Sequence, residues 1–251
     1  LYLKDTFFRQ GGVEWGKRNG KEKEMAVRLK FHGHATWTIE TGSHRILIDP
    51  FFTSNPVADI KASEAQADFI LVSHGHGDHI EDAVDIARRT GALVISNFEI
   101  ASYCQKHEVQ AHPLHIGGGR TFPFGRVELT IAHHGSALPD GSYGGNPCGF
   151  IIQTGERTIY HAGDTGLFYD MKLIGDRYSL DVALLPIGDN FTMGPEAALY
   201  AVELLRPKLV IPMHYNTFDL IKQDGEGFAQ RCQKEKGTPC KVLKPGETVE
   251  I

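Results

Sequence analysis

Between Leu71 and Asp82 the chain reads LVSHGHGDHIED, with three histidines and three acids in twelve residues. Four of them, His74, His76, Asp78 and His79, fall within six positions. Neither a solvated surface nor an apolar core calls for that grouping. Neutral imidazoles with a carboxylate do form a suitable shell for a divalent ion. Zn2+ is the expected ion, and with no cysteine among the donors Mn2+ or Fe2+ is accommodated too. Gly75 and Gly77 let the backbone curl so that close neighbours converge. His74 and His76 can then face one ion while Asp78 and His79 face another. Capping of the following helix would account for Asp78, but not for the imidazoles beside it.

Further donors stand at the ends of other apolar runs. VELTIAHHGS carries His133 and His134, RTIYHAGDTG carries His161 and Asp164, and LVIPMHYNTF carries His214 and Asn216. Neighbours on a strand point to opposite faces, so only one of His133 and His134 should reach a common site. Alternation groups His133 with Val127, Leu129 and Ile131, the apolar side, and His134 with Glu128, Thr130 and Ala132. Gly135 then loosens the backbone, which favours His134 as the donor and makes His133 a packed residue.

Strand-like and helical runs flank these groups on both sides. VRLKFHG, ATWTIETG and HRILIDP are short β-branched and aromatic runs that read as strands. The run from Asp68 to Ser73 suits a strand buried on both faces. A helix is expected from Ile80 to Thr90, ended by Gly91, and ALVIS returns as the next strand. The second half repeats this order. Ile152-Gln153-Thr154-Gly155 echoes Ile39-Glu40-Thr41-Gly42, and DVALLP from Asp181 echoes DFILVS from Asp68. Both matches share an offset of 113 residues. Pro195 to Arg206 is expected as a helix with proline in its first turn, and KLVIPMH as the strand after it. The repeat implies two similar αβ halves packed sheet to sheet.

Composition is that of a globular chain, 41% hydrophobic and 23% charged over 251 residues. No apolar run approaches the ~20 residues of a membrane span, and no signal-peptide pattern opens the chain, so a soluble protein is expected. Four cysteines without CxxC spacing suit a reduced, cytoplasmic setting. The net charge of −5 argues against a nucleic-acid coat. Residues 1–24 lack sustained periodicity and read as a tail, with the domain spanning 25–251. IGGGR at 116–120 has no strand–loop–helix context and is discounted as a phosphate loop.

Taken with FHGHAT, LIDPF, YHAGDTGLFYDMKLIG, LLPIGDNFTMGPEAA and IPMHYNTF, the HGHGDH stretch resembles the metallo-β-lactamase fold superfamily. More narrowly, it is similar to a group of metal-dependent hydrolases close to the L-ascorbate 6-phosphate lactonases. The resemblance runs from about Met25 to the C-terminus. It implies an α/β, four-layer αββα sandwich of two similar halves. It also implies one metal held by His74, His76 and His134, a second held by Asp78, His79 and His214, and Asp164 bridging the two. A hydroxide between two divalent ions would then cleave an ester, lactone or phosphoester of a small molecule, with Asp78 orienting the nucleophile. A nuclease of the same superfamily is the first alternative, and an iron-dependent oxidoreductase the second. Beyond the ligands, His161 is a candidate proton donor or a core residue. His34, Asn190 and Asn216 are candidates to contact substrate, and Asp49 is expected to fix the loops beneath the metals. A homo-oligomer is compatible with all of this.

Overall fold

The alternation of buried side chains along the strands builds the molecule from the inside out. The computed structural model describes residues 26–42, 44–155 and 157–251; the expected tail over 1–24 lies outside the described residues. In chain order the first half holds β1 (Arg28–Gly33), β2 (Thr36–Thr41), β3 (His44–Ile48), β4 (Phe69–Leu71), α1 (Gly77–Ile80), α2 (Ala83–Thr90), β5 (Leu93–Asn97), α3 (Phe98–Lys106) and β6 (Ala111–Leu114). The second holds β7 (Gly119–Phe122), β8 (Gly125–Ile131), β9 (Cys148–Thr154), β10 (Arg157–His161), α4 (Met171–Arg177), β11 (Val182–Pro186), α5 (Pro195–Leu205), β12 (Val210–Met213), α6 (Gly225–Lys236) and β13 (Thr248–Glu250). One sheet has the order β13-β1-β2-β3-β4-β5-β6 and the other β12-β11-β10-β9-β8-β7.

Alternate residues of each sheet meet in the middle. Ile46, Ile48 and Leu71 of the first share a core with Ile152, Ile159 and Leu184 of the second. Leu47, Ile70 and Val94 face the other way, onto Ile86 and Ile100 of α2 and α3. Ile151, Tyr160 and Leu185 likewise face Met171, Val202 and Phe228 of α4, α5 and α6. The result is the four-layer αββα sandwich that the repeat implies. Among the described residues, no helix is long and apolar enough to cross a membrane.

The offset of 113 residues extends to individual hydrogen bonds. Ile46 pairs with Phe69 in parallel register, and Ile159 pairs with Val182. The Arg45 amide donates to Asp68 Oδ2 at 2.7 Å, and the Thr158 amide to Asp181 Oδ2 at 2.8 Å. Gly42 and Gly155 take φ of +57° and +58° in the two hairpin turns, a conformation that costs glycine little. Thr41 and Thr154, themselves 113 apart, hydrogen-bond to one another through their hydroxyls. The halves therefore meet about equivalent points.

Two boundaries differ from the sequence reading. The helix expected over 80–90 is split, α1 ending at Ile80 and α2 starting at Ala83. Asp82 lies between them because its carboxylate accepts from the Phe52 and Thr53 amides and the Thr53 hydroxyl. The helix after Pro195 stops at Leu205, where Arg206 turns left-handed with φ of 50°. Strands β3, β4 and β5 run parallel, as do β10, β11 and β12. Their C-terminal ends therefore open onto loops at a shared edge, where α/β sheets bind ligands.

Candidate metal centre

Each donor follows such a strand end. His74 leaves β4 through Val72 and Ser73 and is fully buried. Gly75 next to it has no room for a side chain, since a Cβ would lie 2.9 Å from the Ala137 carbonyl. Gly77 opens α1, so Asp78 and His79 project about 100° apart around that helix. Asp164 follows β10 through Gly163, which has φ of +63° and would place a Cβ 2.5 Å from the Cys148 carbonyl. His214 directly follows β12, and its amide donates to the His34 carbonyl at 2.7 Å.

These donors converge on one carboxylate oxygen. Asp164 Oδ2 lies 2.9 Å from His214 Nε2, 3.3 Å from His79 Nε2, 3.6 Å from His134 Nε2 and 4.0 Å from His74 Nε2. His76 Nδ1 is 3.0 Å from His74 Nε2. Three sets of donor atoms are each compact enough for one ion: His74 with His76 and His134; His34 with Asp78, His79 and His214; and His74 with His79 and Asp164. Every residue of the expected ligand set falls in this cluster.

The chemistry of the donors fits a cation. Seven buried side-chain polar atoms among the described residues lack a hydrogen-bond partner. Four of them are here: His79 Nε2, both His214 ring nitrogens and Asp164 Oδ1. The short nitrogen–oxygen approaches to Asp164 are thus not aligned as hydrogen bonds. Unpartnered buried groups are costly, and an ion would satisfy several at once. Burial alone would raise the Asp164 pKa, but the His214 and His79 imidazoles outweigh it and hold the carboxyl well below its ordinary range. Burial likewise disfavours a charged His79, yet the Asp164 and Asp49 carboxylates raise its pKa well above 6.5. A proton on His79 is therefore the natural occupant that a metal displaces. Burial, then neighbouring imidazoles, push His74 down, and burial pushes His134 down despite the Asp164 carboxylate.

Asp49 supports the cluster from beneath. It is fully buried and accepts from the Ser73 amide at 2.7 Å, the Ser73 hydroxyl at 2.6 Å and His79 Nδ1 at 2.8 Å. With Nδ1 donating to Asp49, Nε2 is the His79 nitrogen aimed at Asp164, and loss of its proton leaves the tautomer that a ligand needs. His34 is also buried, with φ of 56°. Its Nε2 lies 3.1 Å from Asp78 Oδ2 and its Nδ1 2.9 Å from Thr217 Oγ1. A carboxylate only accepts, so Nε2 carries the proton and the Thr217 hydroxyl donates to Nδ1. Both ring nitrogens are thereby engaged within the protein, which leaves none for the substrate contact expected of His34.

The other expected site residues lie apart from this cluster. His161 is buried, its Nε2 bonded to the Ala35 carbonyl at 3.2 Å and its Nδ1 accepting from the Gly163 amide at 3.1 Å. With both nitrogens on backbone partners it holds the Gly163 turn, and the geometry supplies no free nitrogen for proton donation. Asn216 is exposed, and its amide binds the Gln223 backbone twice, closing the loop after His214. Asn190 is exposed with φ of 42° in the turn after β11. Strand β8 stops at Ile131, so alternation does not run on to the histidine pair. His134 is half-buried in the cluster, while His133 is exposed and stacks on Phe168 at 5.1 Å. Sequence reasoning missed Ser73, Thr217 and Ser136, the last of which accepts from the Gly75 amide at 3.0 Å. Their signal was adjacency to His74, His214 and His134, which says nothing about which way a hydroxyl points.

Comparison with known proteins agrees with this architecture. Residues 28–214 match the family model described as beta-lactamase superfamily domain. The chain is 53% identical over 232 residues to a UPF0173 metal-dependent hydrolase of Heliobacterium modesticaldum, covering 90% of this chain and 98% of that one. It is 55% identical over 229 residues to the counterpart in Pelotomaculum thermopropionicum, covering 90% and 100%. Among solved structures, the metallo hydrolase Igni18 of the hyperthermophilic archaeon Ignicoccus hospitalis is 38% identical with a TM-score of 0.83, covering 90% of this chain and 99% of that one. An isothiocyanate hydrolase from Delia radicum gut bacteria, 20% identical with a TM-score of 0.69, covers 88% and 98% and shares the fold. The chain therefore belongs to the metallo-β-lactamase superfamily and, within it, to the family of the UPF0173 metal-dependent hydrolases.

Proposed function

We propose that this protein hydrolyses a small-molecule ester, lactone or related acyl or phosphoryl bond at a centre of two divalent metal ions. The observation that carries the reading is the convergence of four imidazole Nε2 atoms on Asp164 Oδ2, with buried polar atoms left unpartnered around them. His74, His76 and His134 would hold one ion, Asp78, His79 and His214 the other, and Asp164 would touch both. When bound, such ions supply Lewis acidity and lower the pKa of a water from about 16 toward 7. Zn2+ suits this nitrogen and oxygen set best, and Mn2+ or Fe2+ also fits it.

The chain's own residues do the rest. Asp164 places one negative charge among four imidazoles and limits repulsion between two cations. Asp78, whose side chain keeps 32% of its exposure, is the carboxylate that orients the attacking water. His34 donates to that carboxylate and fixes its direction, with Thr217 fixing the tautomer of His34. Asp49 does the same for His79. The test is to strip the protein with chelator, reload it with single metals, and assay chromogenic esters, lactones and phosphodiesters. Turnover that vanishes on stripping and returns with divalent metal supports the proposal. Fully reloaded protein inert toward all three classes counts against it.

A further inference from the structure

The loops around the candidate centre carry almost no positive charge. Six segments follow strands at the donor edge: residues 49–58 of the 49–68 connection after β3, whose remainder carries Lys61, then 73–82 after β4, 132–147 after β8, 164–170 after β10, 187–194 after β11 and 214–224 after β12. The chain has 26 lysines and arginines, and only Lys222 lies in these segments. Its ammonium is already paired with Asp219 at 2.7 Å. A phosphorylated or polyanionic substrate would find no basic side chain there to bind it beyond the metals. The same segments hold the exposed acids Glu81, Asp140, Asp189 and Asp224. Sites for phosphate or nucleic acid are built the other way, with arginine and lysine at the mouth.

The same segments are rich in exposed apolar side chains. Among the described residues twelve large hydrophobic side chains are exposed, and seven of them lie here. Five sit just beyond metal donors or beside them. Leu167 and Tyr169 follow Asp164, Phe218 and Leu220 follow His214, and Phe191 occupies the turn after β11. That turn is tied to the Asp164 loop, since the Met193 amide donates to the Thr165 carbonyl at 2.9 Å. Phe218 reaches inward, with its ring 5.6 Å from that of His34. Exposed apolar surface next to convergent polar donors is the usual make-up of a small-molecule site.

We infer that the centre takes an uncharged substrate, an ester or lactone with an apolar arm, and that Leu167, Tyr169, Phe191, Phe218 and Leu220 bind that arm. The reaction named here rests on the hydrolytic reading above; recognition of the apolar arm does not. The probe is a series of alkyl hydroxamic acids, from acetohydroxamic to octanohydroxamic acid, titrated calorimetrically into the Zn2+-loaded full chain. Each fully buried methylene tightens binding by at most about fourfold. An apolar rim should therefore lower Kd by at least ~30-fold across the series, well within that ceiling. In the double variant Leu167→Ser/Phe191→Ser the ratio between the two end members should shrink by about tenfold, with metal content as in the parent. A hydroxamate carrying a phosphonate at the far end should bind more weakly than the alkyl compound of equal length. Equal Kd across chain lengths, tightest binding by the phosphonate, or no hydroxamate binding would each overturn the inference. A chain-length gradient in a protein that turns over no ester or lactone would uphold the apolar site and reject hydrolysis.

Discussion

Replacing Asp49 by Asn removes one charge and almost no volume, at a residue that should touch neither metal nor substrate. Its carboxylate receives three donors, from the Ser73 amide, the Ser73 hydroxyl and His79 Nδ1, at 2.6–2.8 Å. An amide offers one acceptor oxygen in place of two. If that oxygen stays on His79, the new NH2 faces the Ser73 N–H. If it stays on Ser73, the NH2 faces His79 Nδ1 and drives the proton to Nε2, the atom 3.3 Å from Asp164. The first arrangement strands the buried Ser73 N–H that had a charged acceptor, a loss of about 1.5–3 kcal/mol, and the second costs His79 the tautomer that a ligand needs. In a domain of this size that loss lowers Tm by roughly 3–12 °C. The backbone is not a confounder, because Asn tolerates the φ of 45° found at Asp49. Loss of the group that orients a ligating histidine typically weakens metal binding by about 10–100-fold. Zn2+ affinity by chelator competition and Tm of the stripped protein measure the two effects separately. Affinity within about threefold of the parent, together with an unchanged Tm, would refute the claim that Asp49 sets the His79 tautomer.

His134→Ala should lose one metal and nearly all turnover, whereas His133→Ala should keep both metals and lower Tm by no more than about 4 °C, the worth of one aromatic stack; metal analysis and melting curves read the pair, and reversed behaviour would put the ligand one residue earlier. His34→Gln should remove a pH sensitivity of the stripped protein. Burial and the neighbouring His214 lower the His34 pKa from 6.5 to about 4, so its neutral state contributes stability above pH 6.5 that is lost as pH falls toward 4. The variant should therefore gain on the parent across that window, by up to about 3 kcal/mol in urea denaturation; a constant difference between pH 7 and pH 4.5 would contradict the assignment. Thr217→Val should weaken binding of the second metal by several-fold because His34 loses the hydroxyl that fixes its tautomer, and chelator competition showing parental affinity would argue against that link.

The layers were legible because strands and their repeat leave local marks. Ile39 to Gly42 and Asp68 to Ser73 recur after 113 residues, and the structure gives both copies the same register and the same Asp-to-amide hydrogen bond. The cluster was legible because its donors follow apolar runs, and a parallel strand end points at the shared edge. What escaped was set at long range. Asp82 interrupts a helix because residues 52 and 53 reach it across 30 positions of chain, which no local period records. His161 reads as a candidate proton donor beside Asp164 until its Nε2–H is found donating to the Ala35 carbonyl, 126 residues away. His34 turns inward to Asp78, 44 residues on, through a left-handed backbone that no residue type near it demands. Parity picked His134, which does stand in the cluster, although the strand it was counted on ends at Ile131, and His133 is exposed against Phe168 instead of packed on the apolar side.

The proposed chemistry requires seven side chains of this chain, Asp164 among them, to hold two cations. The direct test is metal analysis of protein stripped with chelator, reloaded with excess Zn2+ and desalted, alongside Asp164→Asn treated identically. Two tightly held ions per parent chain and fewer than two in the variant are expected, with circular dichroism showing both chains folded. A parent chain that holds one ion or none, or an Asp164→Asn chain that holds two as tightly as the parent, would contradict that requirement.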